Sequence, residues 1–210
     1  MTHTRDYLIA DLDFSSRRDM LETASLIRED VAMVRIGLPS FITFGPPLLH
    51  NLRDLGVDIF LDLRLHDHVS QIGSAIKQAS LLGPKLLSVH ATGGPAMIQL
   101  AQAAVMPRTR LVTFIDLPNA IVSDSPQSIA HSVSTYAQMS LDAQAAGFIC
   151  QGRYLTELQT LSGLKIADGL RLDTPLAAYE DESITFSEAL GHGAELLILS
   201  LKDNNPLQDR

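Results

Sequence analysis

The sequence predicts an α/β protein built from eight strand–helix units, and three observations carry that expectation. Short apolar runs of strand length recur along all 210 residues, at about 7–13, 31–36, 58–63, 85–90, 109–115, 147–150, 164–167 and 195–199. Amphipathic stretches with helical spacing separate them, at about 16–29, 46–55, 69–82, 95–105, 126–146, 153–160 and 185–192. The strand runs are apolar on both faces, which a parallel sheet covered by helices requires and a half-exposed antiparallel sheet does not. The alternation fits a closed (β/α)8 barrel and a doubly wound open sheet equally well. In either fold, ligands bind at the C-terminal ends of the strands.

Composition narrows the class. At 46 % hydrophobic residues the chain can bury one good core, and 1–210 reads as a single domain with no linker or low-complexity tract. A formal charge of −8 with scattered acids argues against a nucleic-acid surface, which needs a basic patch. No apolar run reaches the roughly 20 residues that span a bilayer, and MTHTRDYLIADLDF has no signal-peptide core. A single cysteine, Cys150, permits no internal disulfide and fits a reducing cytoplasm. Its apolar setting, GFICQ, suits a buried thiol rather than a nucleophile.

The stretch FLDLRLHDHVSQIG, residues 60–73, carries the strongest chemical signal. Side chains alternate along a strand, so Asp62 and Arg64 share a face, and Asp67 follows from the next turn. Such an acid–base–acid group is costly to bury unless its charges pair or bind something. His66 and His68 bracket Asp67, but that spacing is no metal-ligand pattern. The polar residues at the remaining strand ends are Asp13, Arg35, His90, Asp116, Gln151, Arg171 and Lys202. The loop 116–127 (DLPNAIVSDSPQ) reads as a cover over the site, and Gly93-Gly94 as the turn into the fourth helix. Little chain follows the eighth strand, so a full eighth helix is not expected.

Several of these segments resemble the orotidine 5′-phosphate decarboxylase family. LDLRLHD is similar to its Asp-x-Lys-x-x-Asp signature, with arginine at the lysine position. YLIADLDF resembles its first strand, VRIGLPSF its second and FGPPLLHNLRDLGVDIF its second helix and third strand. LLSVHATGG, GFICQGRYLTEL and GLRL resemble later pieces, in the same order. The likeness is strong to about residue 94 and thin beyond about 160. It implies the closed barrel rather than the open sheet.

It also implies roles. The residue at Asp13 contacts ribose, and positions 35, 62, 64 and 67 form an alternating cation–acid network. The acid at Asp62 lies against the substrate carboxylate, the lysine at position 64 protonates the carbon, and the acid at Asp67 crosses a dimer interface. No metal and no organic cofactor are implied. The chain departs from this pattern in ways that bear on function. Both network lysines are Arg35 and Arg64, and a guanidinium is effectively never deprotonated. The base-reading Thr-Ser is replaced by Asp116-Leu117, and the phosphate-holding Gly-Arg pair by Leu199-Ser200 and Leu201-Lys202. The loop DTPLAAYEDES brings Glu180, Asp181 and Glu182, which repel phosphate.

Two functions follow as expectations: a divergent carboxy-lyase acting on a phosphorylated or carboxylated small molecule, and a non-catalytic barrel kept for binding or regulation. In both, decarboxylation of orotidine 5′-phosphate is weak or absent, and the protein is a cytoplasmic homodimer. The bland alternative is that Arg35, Asp62, Arg64 and Asp67 form a static salt-bridge network.

Overall fold

The computed structural model describes residues 3–116, 126–170 and 184–201. Eight strands form the sheet: β1 Leu8–Asp11, β2 Met33–Gly37, β3 Ile59–Leu65, β4 Leu86–His90, β5 Arg110–Phe114, β6 Gly147–Gln151, β7 Leu164–Asp168 and β8 Leu196–Ser200. Each pairs in parallel with the next, and β8 pairs in parallel with β1, so the barrel closes. Closure, which periodicity left open, removes every sheet edge.

The helices are α1 Arg17–Ile27, α2 Leu38–Asp54, α3 Val69–Leu81, α4 Gly94–Ala104, α5 Pro126–Asp142 and α6 Phe186–Gly191. Two differ from the sequence expectation. The helix expected at 46–55 begins eight residues earlier, at Leu38, and bends at Gly45, whose φ of 62° and ψ of −164° break the helical run. Pro46 and Pro47 then open the second segment, where their missing N–H groups are no loss. The helix expected at 153–160 is instead a 3₁₀ helix, Gly152–Leu158. The expected cover, 116–127, lies mostly outside the described residues, as does 202–210, on which the question of an eighth helix turns. Among the described residues no helix is long and apolar enough to cross a membrane.

Two cores follow from the strands' period of two. One strand face packs outward on the helices, with Val34, Leu61, Leu87 and Leu111 meeting Leu48, Ile76 and Ile98. The other fills the barrel, where Ile9, Phe60, Leu86, Val112, Ile149, Ile166 and Ile198 form an apolar plug. Gly147 is required at the sixth wall, since a Cβ there would collide with the carbonyl oxygen of Leu164. Cys150 is buried, and burial pushes its thiol up to about 12, so it is an inert packing group. Above the plug the inward positions turn polar, and the site begins there.

Candidate active site

The inward face of β1 ends on Asp11, directly beside Arg35 on β2, while Gly37 of β2 stands beside Asp62 on β3. This register brings three charges together. Arg35 donates from Nη1 to Asp11 Oδ2 at 2.7 Å, and its Nε and Nη2 close on Asp62 Oδ2 at 2.7 and 2.6 Å. Arg64 adds its Nε to the same Asp62 oxygen at 3.2 Å. The other oxygen, Oδ1, accepts the Ser88 hydroxyl at 2.6 Å. Asp62 is only 2 % exposed. A lone carboxylate there would be strongly destabilising, and these charge-assisted bonds offset its desolvation.

Arg64 is held by backbone as well as charge. The β3–β4 register shifts between Leu61 and Leu65, and Arg64 takes a left-handed φ of 49°, unusual for a non-glycine residue. Its N–H donates to the Ser88 hydroxyl oxygen at 2.8 Å, so one serine braces both Asp62 and the bulge. The guanidinium then lies 3.5 Å over the Phe114 ring, a cation–π contact, with Nη2 at 3.7 Å from Asp168 Oδ2. Phe114 meets His90 edge to face at 5.7 Å, and His90 meets His66 at 6.0 Å. Burial first, then the neighbouring His66 ring and, against the pull of Asp116, the Arg64 guanidinium hold His90 below the usual imidazole range. Its Nδ1 accepts from the Thr92 backbone N–H at 3.3 Å, a capping role.

The expected site residues therefore divide. Arg35, Asp62 and Arg64 converge, and His90 stands one ring away. Asp13 lies two residues past β1, where the Ser40 hydroxyl donates to it at 3.2 Å. Asp116 and Gln151 are exposed at the ends of β5 and β6. Asp67 is exposed and accepts from the His68 N–H at 2.6 Å, while α3 is capped by His68 rather than by Asp67. Arg171 and Lys202 lie outside the described residues. The sequence reading missed Asp11, Ser88, Phe114 and Asp168. Each stands two residues before a named site residue or ends an apolar strand run, so extending the period of two inward would have found them.

Asp11 has a second peculiarity. Its Oδ1 is buried without a hydrogen-bond partner. Burial, with the negative charges of Asp13, Asp168 and Asp62, outweighs Arg35 and pushes its carboxyl up to about 6. A raised folded pKa means that the native state binds the extra proton, so Asp11's contribution to stability is full below about pH 3.8 and lost as pH rises to about 6. We expect Asp11→Asn to gain on the wild type by on the order of 1–3 kcal/mol between pH 4 and pH 7. Chemical denaturation at both pH values measures it, and a flat difference would show that Asp11 ionises normally.

No lysine among the described residues touches this network, so its cations hold charge and do not exchange protons. Known proteins share the fold along nearly the whole chain. The chain is 30 % identical over 205 residues to the orotidine 5′-phosphate decarboxylase of Nitrosomonas eutropha, covering 91 % of this chain and 87 % of that one. It is 29 % identical to the enzyme of that name from Dichelobacter nodosus, covering 91 % and 89 %. The crystal structure of orotidine 5′-phosphate decarboxylase from Lactobacillus acidophilus superposes with a TM-score of 0.76 at 23 % identity, over 93 % of this chain and 90 % of that one. An uncharacterized conserved protein from Geobacillus kaustophilus shares the fold at a TM-score of 0.73 and 22 % identity, covering 92 % and 90 %. The profile of the orotidine 5′-phosphate decarboxylase / HUMPS family matches residues 6–199, nearly the length of the barrel from the approach to β1 through β8. The chain belongs to that family.

Proposed function

We propose that this barrel binds a small molecule at its mouth and decarboxylates orotidine 5′-phosphate weakly or not at all. One observation carries the reading: the two cations beside Asp62 are both guanidinium groups, and both converge on its Oδ2. A general acid must release its proton near the working pH, which a guanidinium does not do. Measured release of carbon dioxide from orotidine 5′-phosphate tests this. We expect turnover far below the ordinary enzyme range of about 1–10³ per second, and a rate within that range would overturn the reading.

A second reading, a lyase for a different carboxylated compound, is favoured by Asp11. Its carboxyl, pushed up to about 6, is bonded to Arg35 within the described network, and its buried Oδ1 has no hydrogen-bond partner. Asp11 would then supply the proton that the family likeness assigns to position 64.

We also propose a homodimer. Leu38, Ile42 and Val69 are 47 %, 75 % and 39 % exposed at the starts of α2 and α3, beside the mouth. A second copy would cover this apolar surface, and two-fold pairing is the commonest oligomer. Light scattering at micromolar concentration is expected to give twice the mass of the 22.8 kDa chain; a monomer mass contradicts it. The same reading keeps the protein in the cytoplasm, where Cys150 stays a thiol.

A further inference from the structure

Arg64 is an unusual cation because, among the described residues, its outer edge makes no hydrogen bond. Its Nε is committed to Asp62 and its face to Phe114, but Nη1 and Nη2 donate to no described residue; the approach of Nη2 to Asp168, at 3.7 Å, is too long for a hydrogen bond. The side chain is one-third exposed, and the bulge and the Phe114 ring hold it flat. A fixed guanidinium whose Nη1 and Nη2 make no hydrogen bond to a described residue can meet a carboxylate bidentately, with Asp168 beside Nη2.

The surroundings select against a doubly charged partner. Among the described residues the strand ends, taken to two positions beyond each strand, carry Asp11, Asp13, Asp62, Asp116 and Asp168 against Arg35, Arg64 and Arg153. Arg35 is already shared by Asp11 and Asp62. Asp11 senses Asp13, Asp168 and Asp62, and His90 senses Asp116, so these charges share one field. His90, held below its ordinary range, adds no reliable positive charge. Among these described charges, a phosphate dianion meets more acids than cations. A ligand that pairs its carboxylate with a cation meets attraction at both ends, because the Asp168 carboxylate stands beside Arg64 and is 28 % exposed.

We propose that the mouth takes a zwitterionic amino acid, its carboxylate on the Nη1–Nη2 edge of Arg64 and its ammonium on Asp168. This names the ligand class of the small-molecule site proposed above and rests on that reading. Arg64 acts here as a binding group. Phe114 backs the guanidinium, and Ser88 positions it through the Arg64 N–H.

Calorimetric titration of the full-length protein with the twenty common L-amino acids, propionate, propylamine and uridine 5′-monophosphate tests the proposal. At least one amino acid should bind, about tenfold or more tighter than propionate or propylamine, a difference of one decade in Kd. Arg64→Gln should abolish that binding. Asp168→Asn should weaken it by about tenfold while leaving propionate binding equal or tighter. The melting temperature of each variant reports whether it folds; if one does not, the ligand preference of the wild type decides. Failure of every amino acid to bind overturns the proposal, as does tighter binding of uridine 5′-monophosphate or propionate. Orotidine turnover separates the two readings: a proficient decarboxylase that still binds an amino acid sinks the proposed function and spares this inference.

Discussion

Asp62→Ala is expected to destabilise the protein more than any other single change in the site. The substitution removes the acceptor of three guanidinium nitrogens and of the Ser88 hydroxyl from a position only 2 % exposed. Among the described residues Arg35, whose side chain is 12 % exposed, then pairs only with Asp11, and Asp11 holds a proton more readily than an ordinary carboxylate. Breaking one partner out of a buried ion pair costs about 3–5 kcal/mol, because the other charge is left uncompensated. In a protein of this size each kcal/mol is about 2–4 °C of melting temperature. Thermal and urea unfolding measure the loss. Asp62→Asn retains one acceptor oxygen and should lose less. If Asp62→Ala melts with the wild type, the network contributes no stability and the salt-bridge reading of it fails.

The second large effect is one that should not appear. Arg35→Lys combined with Arg64→Lys restores two titratable ammonium groups, yet orotidine 5′-phosphate decarboxylation should stay far below about 1 per second. General acid catalysis supplies about 10²–10⁴-fold. The remainder depends on binding energy from remote parts of the substrate. The residues that the family likeness assigns to base and phosphate recognition stand here as Leu117 and Ser200, and lysine does not change them. The pair should also lose stability, since one ammonium cannot reproduce the span of Arg35 from Asp11 to Asp62. Steady-state assays with the purified double variant check the rate. A proficient enzyme would mean that the pocket is intact and that the cations alone were limiting.

Both effects separate what is written locally from what is not. The strand runs and the helix stripes are local periodicities, and all eight expected strands overlap the observed ones within a few residues. The start of α2 was hidden because Gly45-Pro46-Pro47 reads as an interruption, whereas the chain bends there and continues. The 3₁₀ form of 152–158 was hidden because an apolar spacing does not distinguish a 3₁₀ turn from an α-turn over so few residues.

At the site, the sequence by itself determined which charges stand on β2 and β3, because Arg35, Asp62 and Arg64 sit at strand ends with a known period. The likeness in those segments determined the family. Only the tertiary structure decided what each charge touches. The β1–β2 register sets Asp11 against Arg35, and closure of the barrel brings Asp168 of β7 across to Arg64 of β3. The bulge at Arg64 turns its guanidinium onto Phe114, two strands away. These contacts join residues 24 to 104 positions apart along the chain. A periodic pattern specifies the face of a side chain, but not the strand that it meets across the barrel. That choice is made by register and shear when the sheet closes.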